Sequence, residues 1–175
     1  MIIKHKFQNY HVPEDTEILI VGTFNPDKID NEAEFFYGRN RNFLWRILSE
    51  SFGVDDLKPK SKEEKEKFAV SKKIGFIDLI KTVDYEDEKV DYDDIKLDCK
   101  TKEWNSVDDL VKKLPYLKKV IFTRKNFAGI PNIKEKIAKL QKVCLDSEID
   151  FACLSTPARF INEKKLLEWK KFLLK

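Results

Sequence analysis

Glu17-Ile18-Leu19-Ile20-Val21-Gly22-Thr23 is the stretch on which the reading of the fold turns. A continuous apolar run this short, closed by glycine, predicts a strand buried on both faces, as in a parallel sheet. Asn25-Pro26-Asp27 follows as turn chemistry. Beyond it, Arg41–Phe52 sets Leu44, Ile47, Leu48 and Phe52 at helical spacing. Lys58–Lys73 is Lys/Glu-rich and reads as an exposed helix or crossing, and Ile74–Ile80 as a strand or the start of a helix. Ser106, with Asp108 and Asp109 in the first turn, predicts a helix start. Lys118–Thr123 and Asp150–Ser155 repeat the buried-strand pattern, and between them Asn132 opens a helix through about Lys142. Glu163–Lys175 closes the chain as an amphipathic helix carrying Leu166, Leu167, Trp169, Phe172 and Leu173. Strands alternating with helices predict an α/β fold: a three-layer α/β/α sandwich on a mainly parallel four-stranded central sheet, in one domain over residues 1–175.

The composition suits such a domain. The chain has 175 residues, 42% of them hydrophobic, with 13 Phe, 5 Tyr and 3 Trp. That is ample material for a core. The net charge is only +3, but three of the five Arg (Arg39, Arg41, Arg46) fall in one short segment. Arginine pairs with phosphate in fixed geometry, so such a cluster suggests an anion-facing surface. Asp84–Asp98 carries eight acidic residues and two Lys. It reads as a solvated loop and is expected to lie away from any DNA-facing surface. Cys99, Cys144 and Cys153 are odd in number and contain no Cys-x-x-Cys pair, so neither a disulfide framework nor a zinc site is indicated. No signal segment and no apolar run of membrane-spanning length is present, and a reduced, cytoplasmic protein is expected.

Sites in parallel sheets lie beyond the carboxyl ends of the strands. Three strand ends here carry unusual chemistry, at Gly22–Pro26, Thr123–Asn126 and Ser155–Arg159, and should converge. The only histidines, His5 and His11, precede the first buried strand, which gives little support to Ser-His-Asp or Cys-His chemistry. Metal-ligand clusters and glycine-rich phosphate loops are missing, so no cofactor is expected. What stands out is a neutral, aromatic, Asn-bearing segment. It comprises Gly22-Thr23-Phe24-Asn25-Pro26-Asp27 and then Phe35-Phe36-Tyr37-Gly38-Arg39-Asn40-Arg41-Asn42-Phe43-Leu44-Trp45. A pocket for a planar base needs an aromatic face and amides for the hydrogen-bonding edge. Phe43 and Trp45, on a helix start, read as core, whereas Tyr37 reads as a loop aromatic.

The block from Gly22 to Leu48 resembles the first motif of the uracil-DNA glycosylase superfamily, especially its mismatch-specific and hypoxanthine-type branches. The matching pieces are Asn25-Pro26, Tyr37-Gly38-Arg39 and Asn42-Phe43-Leu44-Trp45. Ile74-Gly75-Phe76-Ile77-Asp78-Leu79-Ile80 is similar to the family's following segment, and Leu154-Ser155-Thr156-Pro157-Ala158 to its final Ser/Thr-Pro motif. The closing Lys165 and Trp169 fit as well, and the pieces come in the family's order. The resemblance implies a DNA N-glycosylase of base-excision repair, acting as a monomer on DNA with a damaged or mismatched base, without metal or cofactor. Carried over residue by residue, it makes Asn25 the water-positioning amide. Asn42 competes for the role because the strand end is one residue longer than the family's. Backbone amides at Thr23 and Phe24, the Tyr37 ring and Asn126 would meet the flipped base. Arg39, Arg41, Arg124 and Lys125 would hold phosphates. Ser155, Thr156 and Pro157 would carry the loop from which Arg159 and Phe160 enter the duplex. Two other readings stay open: a nucleic-acid-binding protein of the same fold without catalysis, and a flavodoxin-like protein for a small nucleotide.

Overall fold

The computed structural model describes residues 1–85 and 93–175. In chain order the elements are β1 (Ile2–Lys4), β2 (Ile18–Gly22), α1 (Leu44–Phe52), α2 (Lys62–Ser71), β3 (Ile74–Asp78), β4 (Ile80–Asp84) and α3 (Asp94–Lys100). They continue with β5 (Thr101–Trp104), α4 (Val107–Lys113), β6 (Lys119–Phe122), α5 (Pro131–Asp146), β7 (Asp150–Cys153) and α6 (Glu163–Leu173). β3, β2, β6 and β7 form one sheet in that order, every pair parallel. The expected α/β sandwich on a four-stranded parallel sheet is therefore the fold.

Alternation along the central strands divides the core in two. Leu19, Val21, Val120 and Phe122 face one way, onto Val107 and Val111 of α4 and Ile133, Ile137 and Leu140 of α5. Ile18, Ile20, Phe76 and Ile121 face the other, onto Leu44, Trp45, Ile47 and Leu48 of α1, Phe68 of α2, and Trp169 and Leu173 of α6. Trp45 and Trp169 are the largest side chains buried outright, and truncating either to Ala would cost about 3–5 kcal/mol.

A second sheet lies outside the sequence-based expectation. β1, β4 and β5 pair antiparallel in the order β1-β4-β5, and Ile3, Ile80 and Val83 add to the first core. β1 and β5 are short, and β5 is largely polar, so neither carries the apolar signature that marks a buried strand. Only Leu79 separates β3 from β4, so the chain passes straight from one sheet into the other.

The acidic segment is also not wholly a loop. Residues 86–92 lie outside the described residues, but Asp93 caps α3 through the Ile95 N–H (3.1 Å), and Leu97 and Asp98 are buried. Asp98 then caps a neighbouring helix, accepting the Ile133 N–H (2.6 Å) and Asn132 N–H (3.2 Å) at the start of α5. This supplies partners that the α5 N-cap residue, Ile130, cannot offer. The α5 helix begins with Pro131 at its first position and runs to Asp146, four residues past the predicted end near Lys142. No helix among the described residues is long and apolar enough to cross a membrane.

Candidate active site

Because β3, β2, β6 and β7 run parallel, their carboxyl ends lie side by side. This brings together Gly22, Asp78, Thr123 and Ser155 with the residues that follow them. At the centre, Gly22 leaves room for two side chains. A Cβ on it would run into the Asp78 Oδ1 and the Tyr37 hydroxyl, the latter at 2.7 Å. Asp78 is buried, and its Oδ2 accepts a 2.7 Å hydrogen bond from His5 Nε2. The His5 Nδ1 accepts the Phe7 backbone N–H (3.0 Å), which fixes the ring's proton on Nε2. His5 packs among Phe7, Phe24 and Phe36 with centroids 5.6–6.0 Å away. Sequence reasoning passed over this pair because its members are 73 positions apart and meet only through the second sheet.

Tyr37 stands in the left-handed region at φ 56, uncommon for a residue with a side chain. Its hydroxyl is buried beside Thr123 and Asp78 and has no hydrogen-bond partner among the described residues. Burial first, and then the Asp78 carboxylate, pushes the phenol well above its ordinary range. An unpaired buried hydroxyl on a strained backbone is the kind of cost that clusters at functional sites.

The two candidate water-positioning amides are both engaged. Asn25 is buried, and its Oδ1 accepts from the Asn31 amide, which also donates to Pro26 O (2.7 Å). Asn42 is half-buried and accepts the Leu44 N–H (3.0 Å) at the mouth of α1. The Phe24 ring lies in the core against His5. The exposed Asn126 closes a local turn on Ala128 N (2.9 Å).

The segments nominated for DNA contact are physically joined. Asn42 bridges antiparallel to Ala158, Phe43 N–H donates to Pro157 O (2.9 Å), and Arg159 N–H donates to Arg41 O (2.8 Å). Lys58 Nζ steadies the first segment by donating to Asn40 O (2.6 Å) and Asn42 O (2.7 Å). Arg39, Arg41, Arg159 and Phe160 are exposed around this seam, Phe160 to 57%. The other two cations are differently placed. Arg124 forms an ion pair with Asp94, and Lys125 with Glu168. Burial pushes the Asp94 carboxyl up against the pull of Arg124, with the Thr23 side chain close by. The acidic segment therefore reaches the strand-end edge through Asp94, contrary to the expectation that it stays clear of it. At the final motif, Ser155 N–H donates to Glu168 Oε2 (3.1 Å) and Trp169 Nε1 donates to Ser155 O (2.9 Å). Thr156 Oγ1 accepts the Ala158 N–H (3.3 Å).

A parallel sheet in the order β3-β2-β6-β7 with helices packed on both faces is the architecture of the chain. A solved structure shares it: the solution NMR structure of a protein from Methanosarcina acetivorans, provisionally named a uracil DNA glycosylase. The match has a TM-score of 0.63 over 93% of this chain and 91% of that one, at 21% identity. No protein-family model matches the chain. No curated protein matches it either.

Proposed function

We propose that this chain is a monofunctional DNA glycosylase that hydrolyses the bond between deoxyribose and a deaminated or mismatched base, uracil or hypoxanthine. The observation that carries the reading is the seam between residues 39–43 and 155–160. It puts an exposed phenylalanine and three exposed arginines between the carboxyl end of β7 and the start of α1. Arg39, Arg41 and Arg159 suit phosphates, and Phe160 suits the gap left by a flipped nucleotide, where it offsets a few kcal/mol of lost stacking. Arg124 and Lys125 reach phosphates only by exchanging their carboxylate partners.

At the strand ends, Asp78 Oδ1 offers an acceptor next to the Tyr37 and Thr123 hydroxyls. Uracil and hypoxanthine both present a ring N–H beside a carbonyl, which complements that edge. The transition state is an oxocarbenium sugar with an anionic departing base, so the site needs a placed water and donors to the base. A neutral amide suffices to hold the water, since the cationic sugar needs no prior deprotonation of it. Asn25 and Asn42 are the amides proposed for it, and each carbonyl oxygen keeps a second lone pair beyond the bond it makes. The reading carries with it a single domain, a monomer, a cytoplasmic setting and no cofactor.

One observation favours the second reading, a DNA-binding protein of this fold without catalysis: both amide oxygens already serve the protein's own structure. A panel of duplexes, each with one lesion, separates the two. The enzyme releases free base and leaves an alkali-labile site, and the Asn25→Ala/Asn42→Ala variant abolishes this. A binder shifts every duplex and cleaves none. Full release by the double variant sinks the amide assignment, and binding that does not weaken steeply with salt sinks DNA as the partner.

A further inference from the structure

Lys165 sits in the first turn of α6 and is 5% exposed, an unusual place for an ammonium group. Among the hydrogen bonds and ion pairs of the described residues, its side chain meets no carboxylate within salt-bridge distance. Its Nζ donates to Phe160 O (2.6 Å) and Ala158 O (3.4 Å), and it lies 4.3 Å from the centre of the Phe160 ring. One cation therefore grips the loop's backbone on both sides of Arg159 and the face of the aromatic that the loop presents. The seam with residues 41–43 already holds the loop backbone as far as Arg159, so what the lysine adds is its contact with the Phe160 carbonyl and ring. Arg159 is left-handed at φ 75, and Phe160 is 57% exposed, so neither local preference nor burial of the ring holds this shape. Asn162 caps α6 through the Lys165 N–H (2.9 Å), which fixes the lysine's own backbone.

We propose that Lys165 is the positioning residue for the Phe160 wedge, holding the ring in the attitude from which it enters a DNA duplex. The proposal rests on the glycosylase reading. It gives Lys165 a role confined to duplex substrates, because a single strand leaves no stacked gap to fill. A methionine would fill the same space without the cost of burying a charge, so packing alone gives no reason for an ammonium here.

The test compares Lys165→Met, Lys165→Arg and Phe160→Ala, each alone, and Lys165→Met combined with Phe160→Ala. Base release is read on a lesion in duplex and in single-stranded DNA. A misplaced group costs up to about 100-fold. Lys165→Met is therefore expected to lower the duplex-to-single-strand rate ratio by about 10- to 100-fold, with Lys165→Arg restoring most of it. In the Phe160→Ala background the same change should cost nothing further, because the lysine acts through the ring. Equal losses on both substrates, or an undiminished loss in the Phe160→Ala background, overturn the proposal. If no lesion is excised, the glycosylase reading falls by itself. The wedge is then read as preference for a duplex carrying an abasic-site analogue over single-stranded DNA, and Lys165→Met must abolish that preference or the proposal falls too.

Discussion

Gly22 has space for a hydrogen and nothing larger, since the Asp78 carboxylate and the Tyr37 hydroxyl occupy the place of its missing side chain. Gly22→Ala should therefore leave the sheet paired but push both groups out of place. The expected result is a folded protein, by circular dichroism, that has lost base release. Asp78→Asn makes a finer cut. It keeps the shape but exchanges an acceptor for an amide that can also donate. A buried hydrogen bond to a charged group is worth about 1.5–3 kcal/mol, so discrimination for bases with a ring N–H should fall by roughly 10- to 100-fold. Competition between uracil and cytosine duplexes measures this, and unchanged discrimination would remove Asp78 from the base edge. At this scale the sequence is only half legible. Tyr37 could be picked out as a loop aromatic beside a buried strand. The His5–Asp78 bond could not, because it depends on β1 joining a sheet whose strands are short and partly polar.

Among the elements, α3 does more than its seven residues suggest. At one end, Asp94 takes Arg124 just past the carboxyl end of β6, and one turn on, Asp98 caps α5. Asp98→Ala strands two backbone donors of α5 and should cost about 2–3 kcal/mol, read as a lower urea midpoint. Asp98→Asn keeps an acceptor and should cost less. β2 and β6 were readable because each is a short apolar run that burial on both faces leaves few alternatives, whereas β7, read the same way, is an edge strand and only partly buried. The α3 helix was hidden for the opposite reason. Its acidic residues look solvated in a list, yet Asp94 and Asp98 find their partners 30 and 35 positions away.

Across the molecule, the amino ends of the central strands are tied together at Glu17, opposite their carboxyl ends. Its carboxylate takes Lys118 at 2.5 Å and Lys73 at 2.6 Å, and those hydrogen bonds pull its pKa from 4.5 down to about 2. The folded chain releases this proton more readily than the unfolded one. The contribution is therefore complete above pH 4.5 and fades as the pH falls towards 2. Thermal unfolding of the parent and of Glu17→Gln should diverge across that window, with the parent gaining as the pH rises. Curves offset by a constant amount throughout would show that the carboxylate's ionisation is not what matters. The four-stranded parallel sheet follows from the sequence through its apolar runs, whereas the antiparallel sheet beside it had no such marker. Only Leu79 lies between β3 of the first sheet and β4 of the second, and Asp78 is the last residue before the crossing. A library built to change which lesion is removed would do well to vary Ile3 and Val83, remote though they are. A slight repacking there tilts His5, and on the glycosylase reading His5 steers the carboxylate proposed to meet the base.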